Sequence, residues 1–131
     1  IKTAGAIVNH PFGGVMRSII VAIHALGARE VFIVGHEDCG MAAMDPNQLI
    51  GQMTDNGVPN ETFSTLEHVG IDVKQWVKGF SNVHESVTES VNLVKNHPLM
   101  PAYVPVTGMV IHPSTGELSV VVNGYEKVKS E

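Results

Sequence analysis

Only one cysteine, Cys39, stands among 131 residues. An intrachain disulfide is impossible, and a lone thiol suits a reducing compartment such as the cytoplasm. Positive charge is scarce too: 8 Lys and Arg face 13 Asp and Glu, for a net charge of −5. With no Lys/Arg-rich run, that balance argues against binding to a phosphate backbone, and no nucleic-acid partner is expected. No apolar run approaches the ~20 residues of a membrane span, so no membrane partner is expected, and nothing in the first residues leads one to expect a signal peptide there. Repeats, low-complexity tracts and interdomain linkers are missing as well. What is present is 44% apolar and only 16% charged, which predicts one globular domain over residues 1–131. Its first stretch, IKTAGAIV, has no methionine or polar lead-in and reads like the inside of a strand. A preceding segment is therefore expected.

Periodicity predicts the elements. Residues 1–8 read as a strand that breaks at Gly5, and NHPFGG (9–14) as a loop. From Val15 to Leu26 the chain is apolar almost all round, as in a buried helix ended by Gly27. REVFIVG (29–35) is short, β-branched and nearly continuous in apolarity, which fits a parallel strand covered on both faces. Strand, helix and strand make a βαβ unit, whose crossover should be right-handed. Asp45 and Pro46 form a helix start closed by Gly57, and short helical pieces joined by glycines should follow. Between Ser81 and Asn96, Val83, Val87, Val91 and Val94 line one helical face, with Asn82 as cap and Pro98 as stop. VPVTGMVIH and ELSVVVNGY flank PSTG, too short a link for anything but an antiparallel pair. The predicted fold class is α/β: a mainly parallel sheet with flanking helices and a C-terminal antiparallel edge strand.

The chemistry concentrates in VFIVGHEDCGM (31–41), where the sole thiol follows a histidine by three residues at a strand tip. Ligands of open α/β sheets bind beyond the carboxyl ends of the strands. Imidazole and thiolate are both good zinc ligands, while a thiolate argues against magnesium or calcium. Gly40 would let the backbone approach such a site closely. Three readings stay open on spacing alone: a metal site at His36 and Cys39, a nucleophilic Cys–His pair, and a small buried thiol beside a solvated histidine. Two ligands do not make a zinc site.

IKTAGAIV, the apolar helix and ALGAREVFIVGHEDCGM together resemble the β-class carbonic anhydrases. They couple an (R/K)-x-A-G strand end, an A-L-G-x-x-E helix exit and an (I/V)-x-G-H-x-D-C-G-M strand tip. The resemblance continues through VNLVKNHPLMP and VTGMVIHPSTGELSVVVNGY, and is nearest to the compact bacterial and archaeal branch. It implies reversible hydration of CO₂ to bicarbonate and a proton, with Zn²⁺ as cofactor and His36 and Cys39 as two of its ligands. Hydroxide on the zinc would attack the carbon, since zinc lowers the pKa of bound water to about 7 in favourable sites. The family takes a second cysteine from an upstream C-x-D-x-R motif, whose aspartate either fills the fourth zinc position or pairs with the arginine. This sequence has no such motif and no second cysteine. The motif is expected in a segment left out of, or removed from, these residues; a relative that never had it is the remaining option.

The same resemblance makes Ala4, Gly5 and Val21 candidates for the CO₂ pocket, beside a plain packing or turn role for each. Asp38 would orient His36 or contact a backbone amide, and N–H groups near Gly40 would offset the thiolate charge. His10 is a candidate proton shuttle, and Arg17 a candidate interface residue. A homodimer, or a dimer of such dimers, is implied as the assembly. The alternatives are a hydrolase of another small heteroallene such as carbon disulfide, and a metal-poor, non-catalytic relative that acts as a binding module.

Overall fold

The computed structural model describes residues 1–126. They contain α1 (Gly14–Ala25), β1 (Val31–His36), α2 (Pro46–Asp55), α3 (Asn60–His68), α4 (Val73–Val77), α5 (Val83–Lys95), β2 (Val106–Ile111) and β3 (Leu118–Val122). They divide into two compact units: Ile1–Asp38 with the residues from Asn82 on, and Cys39–Ser81.

The first unit is built on a three-stranded sheet in the order β1-β2-β3. β1 runs parallel to β2, with Val31 opposite Val106 and His36 opposite Ile111, and β3 returns antiparallel after the PSTG turn. The α/β architecture with an antiparallel edge strand is thus the one the periodicity predicts. Helix α5 covers one sheet face. Its Val83, Val87, Val91 and Val94 are all buried, each contributing roughly 1.5–3 kcal/mol of apolar burial. The helix sits close because the sheet offers glycines beneath it. A Cβ on Gly35 would lie 2.8 Å from Val83 and 2.9 Å from Val87, and one on Gly108 would lie 2.7 Å from Val87 and 2.9 Å from Val91. Asn82 caps α5 by accepting from the N–H groups of His84 and Glu85.

Four expectations need correction in this unit. Residues 1–8 form no strand. Gly5 (φ 69°) and Ala6 (φ 55°) turn the backbone into a single 3-10 turn over Ala4–Ala6, so the break predicted at Gly5 is present but the strand before it is not. The βαβ unit expected around α1 is therefore not formed; the parallel partner of β1 is β2, reached through a crossover that includes α5. Helix α1 is not buried all round, since only Met16, Ile19 and Ile23 are buried while Val21 and Leu26 are exposed. Nor is β1 covered on both faces: Ile33 and Gly35 are buried, but Phe32 and Val34 are 48% and 44% exposed.

In the second unit, α2 begins as predicted, with Pro46 in the first turn and Asp45 accepting from Asn47 N–H at 2.9 Å. Short helices α3 and α4 follow, separated by the break at Gly70. Phe80 N–H donates to Met41 O at 3.2 Å and closes the unit on itself.

Candidate functional site

His36 is the last residue of β1, and its position is fixed by the ladder to β2, which continues one step beyond it as Glu37 N–H donates to Ile111 O at 3.0 Å. The imidazole Nδ1 lies 2.8 Å from Glu37 O. A carbonyl oxygen only accepts, so Nδ1 is the nitrogen that donates here, and Nε2 is the one that can offer a lone pair. A backbone carbonyl on one nitrogen and a free lone pair on the other is the arrangement that prepares a histidine for a metal.

Beside His36 opens a cavity of about 530 Å³ whose walls include Gly5, Ile19, Ile23, Phe32 and Val34. These walls are mostly apolar, with Lys2 and Glu30 the charged residues among them. Gly5 reaches the cavity because its left-handed backbone turns the N-terminal stretch back over β1, a conformation glycine adopts without steric cost. Ala4, in the same turn, is exposed and is not one of the cavity walls.

Past His36 the chain turns at Asp38, whose φ of 54° is tolerated better by aspartate than by most residues. Its side chain is exposed. Cys39, half-buried and with a free thiol, opens the second unit and precedes a 3-10 turn over Gly40–Ala43, where Ala42 N–H donates to Cys39 O at 2.9 Å. A Cβ placed on Gly40 would meet nothing within 4 Å, so the crowding that would demand glycine there is not supplied by the described residues. Among the described residues no group of three or more His, Cys, Asp or Glu converges as a metal shell. The donors that fit zinc by type, imidazole and thiol, are the two of the strand-tip motif.

Val21 lies elsewhere. Ile19 and Ile23 line the cavity beside His36, and Val21, two residues from each, points roughly 200° round the helix from them. It lines a separate groove of about 240 Å³ with Phe12, Met16, Arg17 and Leu99. The described residues thus bring Gly5 to His36 and keep Val21 apart from both. His10 is exposed and accepts from Phe12 N–H at 3.0 Å. The sequence reading missed one contact: His84 Nε2 meets Glu37 Oε1 at 3.1 Å. The two residues are 47 positions apart, and no spacing rule links them.

A sequence profile of the carbonic anhydrase family matches residues 1–118. YvdA of Bacillus subtilis, named as a candidate carbonic anhydrase, is 54% identical over 96% of this chain and 64% of its own length. The crystal structure of β-carbonic anhydrase isoform I from Trichomonas vaginalis superposes with a TM-score of 0.85 at 34% identity, covering 95% of this chain and 68% of that one. A carbon disulfide hydrolase of Acidithiobacillus thiooxidans is 29% identical over 79% of this chain and 55% of its own. The 131 residues thus span about two thirds of the length of such a relative.

Proposed function

Because the chain belongs to the β-class carbonic anhydrase family, we propose that it forms the larger part of a zinc enzyme that hydrates carbon dioxide reversibly to bicarbonate and a proton. The observation that carries this reading is the placement of His36. Its Nδ1 proton is engaged by Glu37 O, which leaves Nε2 as a donor at the carboxyl end of a parallel strand, beside an apolar cavity.

In this reading His36 and Cys39 hold the zinc through Nε2 and Sγ, and ligands outside residues 1–131 complete the shell. Zinc, when bound, is the Lewis acid that lowers the pKa of water to about 7, making hydroxide available at neutral pH. The chain's own residues do the rest. The backbone N–H groups around Gly40 offset the negative charge that thiolate ligation brings. Asp38 holds the turn between the two ligands in its left-handed form. Gly5, with the neighbouring Ala4, borders the approach of CO₂, whose lack of charge suits the apolar walls. A second copy of the chain is the partner we propose for the exposed face of α1 that carries Val21.

A second reading, hydrolysis of carbon disulfide at the same centre, is favoured by the likeness to the Acidithiobacillus enzyme. The test is made on the full-length protein. Zinc near one per chain together with CO₂ hydration, followed by stopped-flow pH-indicator kinetics, is the expected result. A zinc-loaded protein that hydrates no CO₂ would overturn the main reading, and carbon disulfide turnover in that protein would establish the second.

A further inference from the structure

Glu37 is held at three separate points. Its N–H donates to Ile111 O at 3.0 Å, its carbonyl accepts from His36 Nδ1 at 2.8 Å, and its carboxylate accepts from His84 Nε2 at 3.1 Å. His84 stands in the first turn of α5, where its own N–H donates to Asn82 Oδ1 at 2.8 Å. The backbone that carries His84 is thereby tied to the helix whose valines cover the sheet. We propose that His84 is a positioning residue for the metal ligand His36, acting through Glu37; this inference rests on the functional reading above.

The physical reason is that a carbonyl orients an imidazole only if its own peptide is stationary. The Glu37 peptide lies past the end of β1, and the next residue already leaves the extended region with φ 54°. Its N–H bond to Ile111 anchors one side of the residue. The carboxylate contact with His84 anchors the side chain and makes a bracket from α5 through Glu37 to the ring of His36. The two side chains are 49% and 40% exposed, so water screens the contact and its share in folding stability is small. Its effect should be read in ligand geometry instead. Groups that orient a metal-bound histidine directly are typically worth about 10–100-fold in metal affinity. His84 acts one link further out and is exposed, so we expect about 3–10-fold.

The experiment uses the full-length protein and two readouts: zinc affinity by competition with a chromogenic chelator, and the visible spectrum of the cobalt-substituted protein. His84→Ala should loosen zinc by about 3–10-fold and displace the cobalt bands. His84→Gln, whose amide nitrogen falls near the place of Nε2, should restore both. Glu37→Ala should reproduce the loss, and adding His84→Ala to it should cost nothing further. The inference is overturned if His84→Ala leaves affinity and cobalt bands unmoved while the parent protein holds zinc, if Gln fails to rescue, or if the two losses add. Should His84→Ala fail to fold, Glu37→Ala decides alone, and unchanged affinity there is equally fatal. A parent that binds neither metal overturns both this inference and the functional reading. A parent that binds zinc without hydrating CO₂ removes only the latter, because the effect of His84 is still read on the metal.

Discussion

At the scale of single residues, the donor types carry the functional reading and also limit it. Imidazole and thiolate select zinc over hard cations, and they do so only while the sulfur can ionise. Replacing Cys39 with serine in the full-length protein keeps the size and removes that ionisation. Zinc content should fall to near zero with the circular dichroism spectrum unchanged; a serine variant that keeps its zinc refutes the ligand assignment. The sequence singles out His36, Asp38, Cys39 and Gly40 because they lie together in one short motif, and their roles at a metal are part of the proposal. The Glu37–His84 contact was not, since it depends on α5 and β1 meeting in space. Val21 was read with Ala4 and Gly5 as a candidate for the CO₂ pocket, and half a helical turn separates it from the residues of α1 that line the cavity beside His36. A different residue offers a pH readout. Tyr125 donates its hydroxyl to Glu30, and its pKa is raised above the ordinary tyrosine value, first by that hydrogen bond, then by partial loss of water, then by the carboxylate's charge. A raised folded-state pKa means the contact is fully present below the unfolded value, about 10, and is lost as pH rises through the folded value. In Glu30→Ala, ultraviolet titration should show that tyrosine's midpoint moving down towards 10; an unmoved midpoint would show that the pair does not form in solution.

At the scale of elements, the sequence was most readable where one face of an element decides its burial. The valines of α5 recur at i, i+4, i+8 and i+11, and all four are buried as that spacing requires. The PSTG turn allowed only an antiparallel return, and β3 makes one. The misreadings fall where burial depends on what lies against an element. An apolar stretch such as Val15–Leu26 or REVFIVG shows that it prefers to leave water, but not which neighbour removes it. Residues 1–8 have strand-like composition, yet the left-handed turn at Gly5 and Ala6 withdraws them from any ladder. Helix–sheet spacing has a signal that can be measured. In Gly108→Ala the added methyl would lie under 3 Å from Val87 and Val91, neither of which has room to retreat because both are buried. The helix or the sheet must shift, and overpacking of this kind costs about 1–3 kcal/mol. Urea denaturation should show that loss, and an unchanged midpoint would mean α5 stands further from β2 than described.

At the scale of the whole molecule, the apolar surface left open is what a single copy does not explain. Val21 and Leu26 on and beside α1 are 41% and 77% exposed, and Phe32 and Val34 on β1 are nearly half exposed. Scattered single apolar residues on a surface need no special cause, and α1 also exposes Arg17, Ser18 and His24, but Val21 shares one groove with the exposed Phe12 and Leu99, and grouped apolar surface of that kind is where a partner docks. We proposed a second copy of the chain as the cover, and Val21→Lys in the full-length protein tests it. On a face open to solvent, a lysine in place of valine changes stability by no more than about 0.5 kcal/mol. In an interface the same ammonium must lose its water without a partner, and association weakens by far more than that. Sedimentation equilibrium should therefore show the dimer dissociating at least about tenfold more readily, a difference of about 1.4 kcal/mol, while thermal unfolding of the dissociated chain stays the same. An unaltered association constant would place the contact between copies elsewhere. Val21 would then have to be explained by its own groove with Phe12, Met16 and Leu99, where a lysine at the rim can snorkel its charge into water and leave both measurements unmoved.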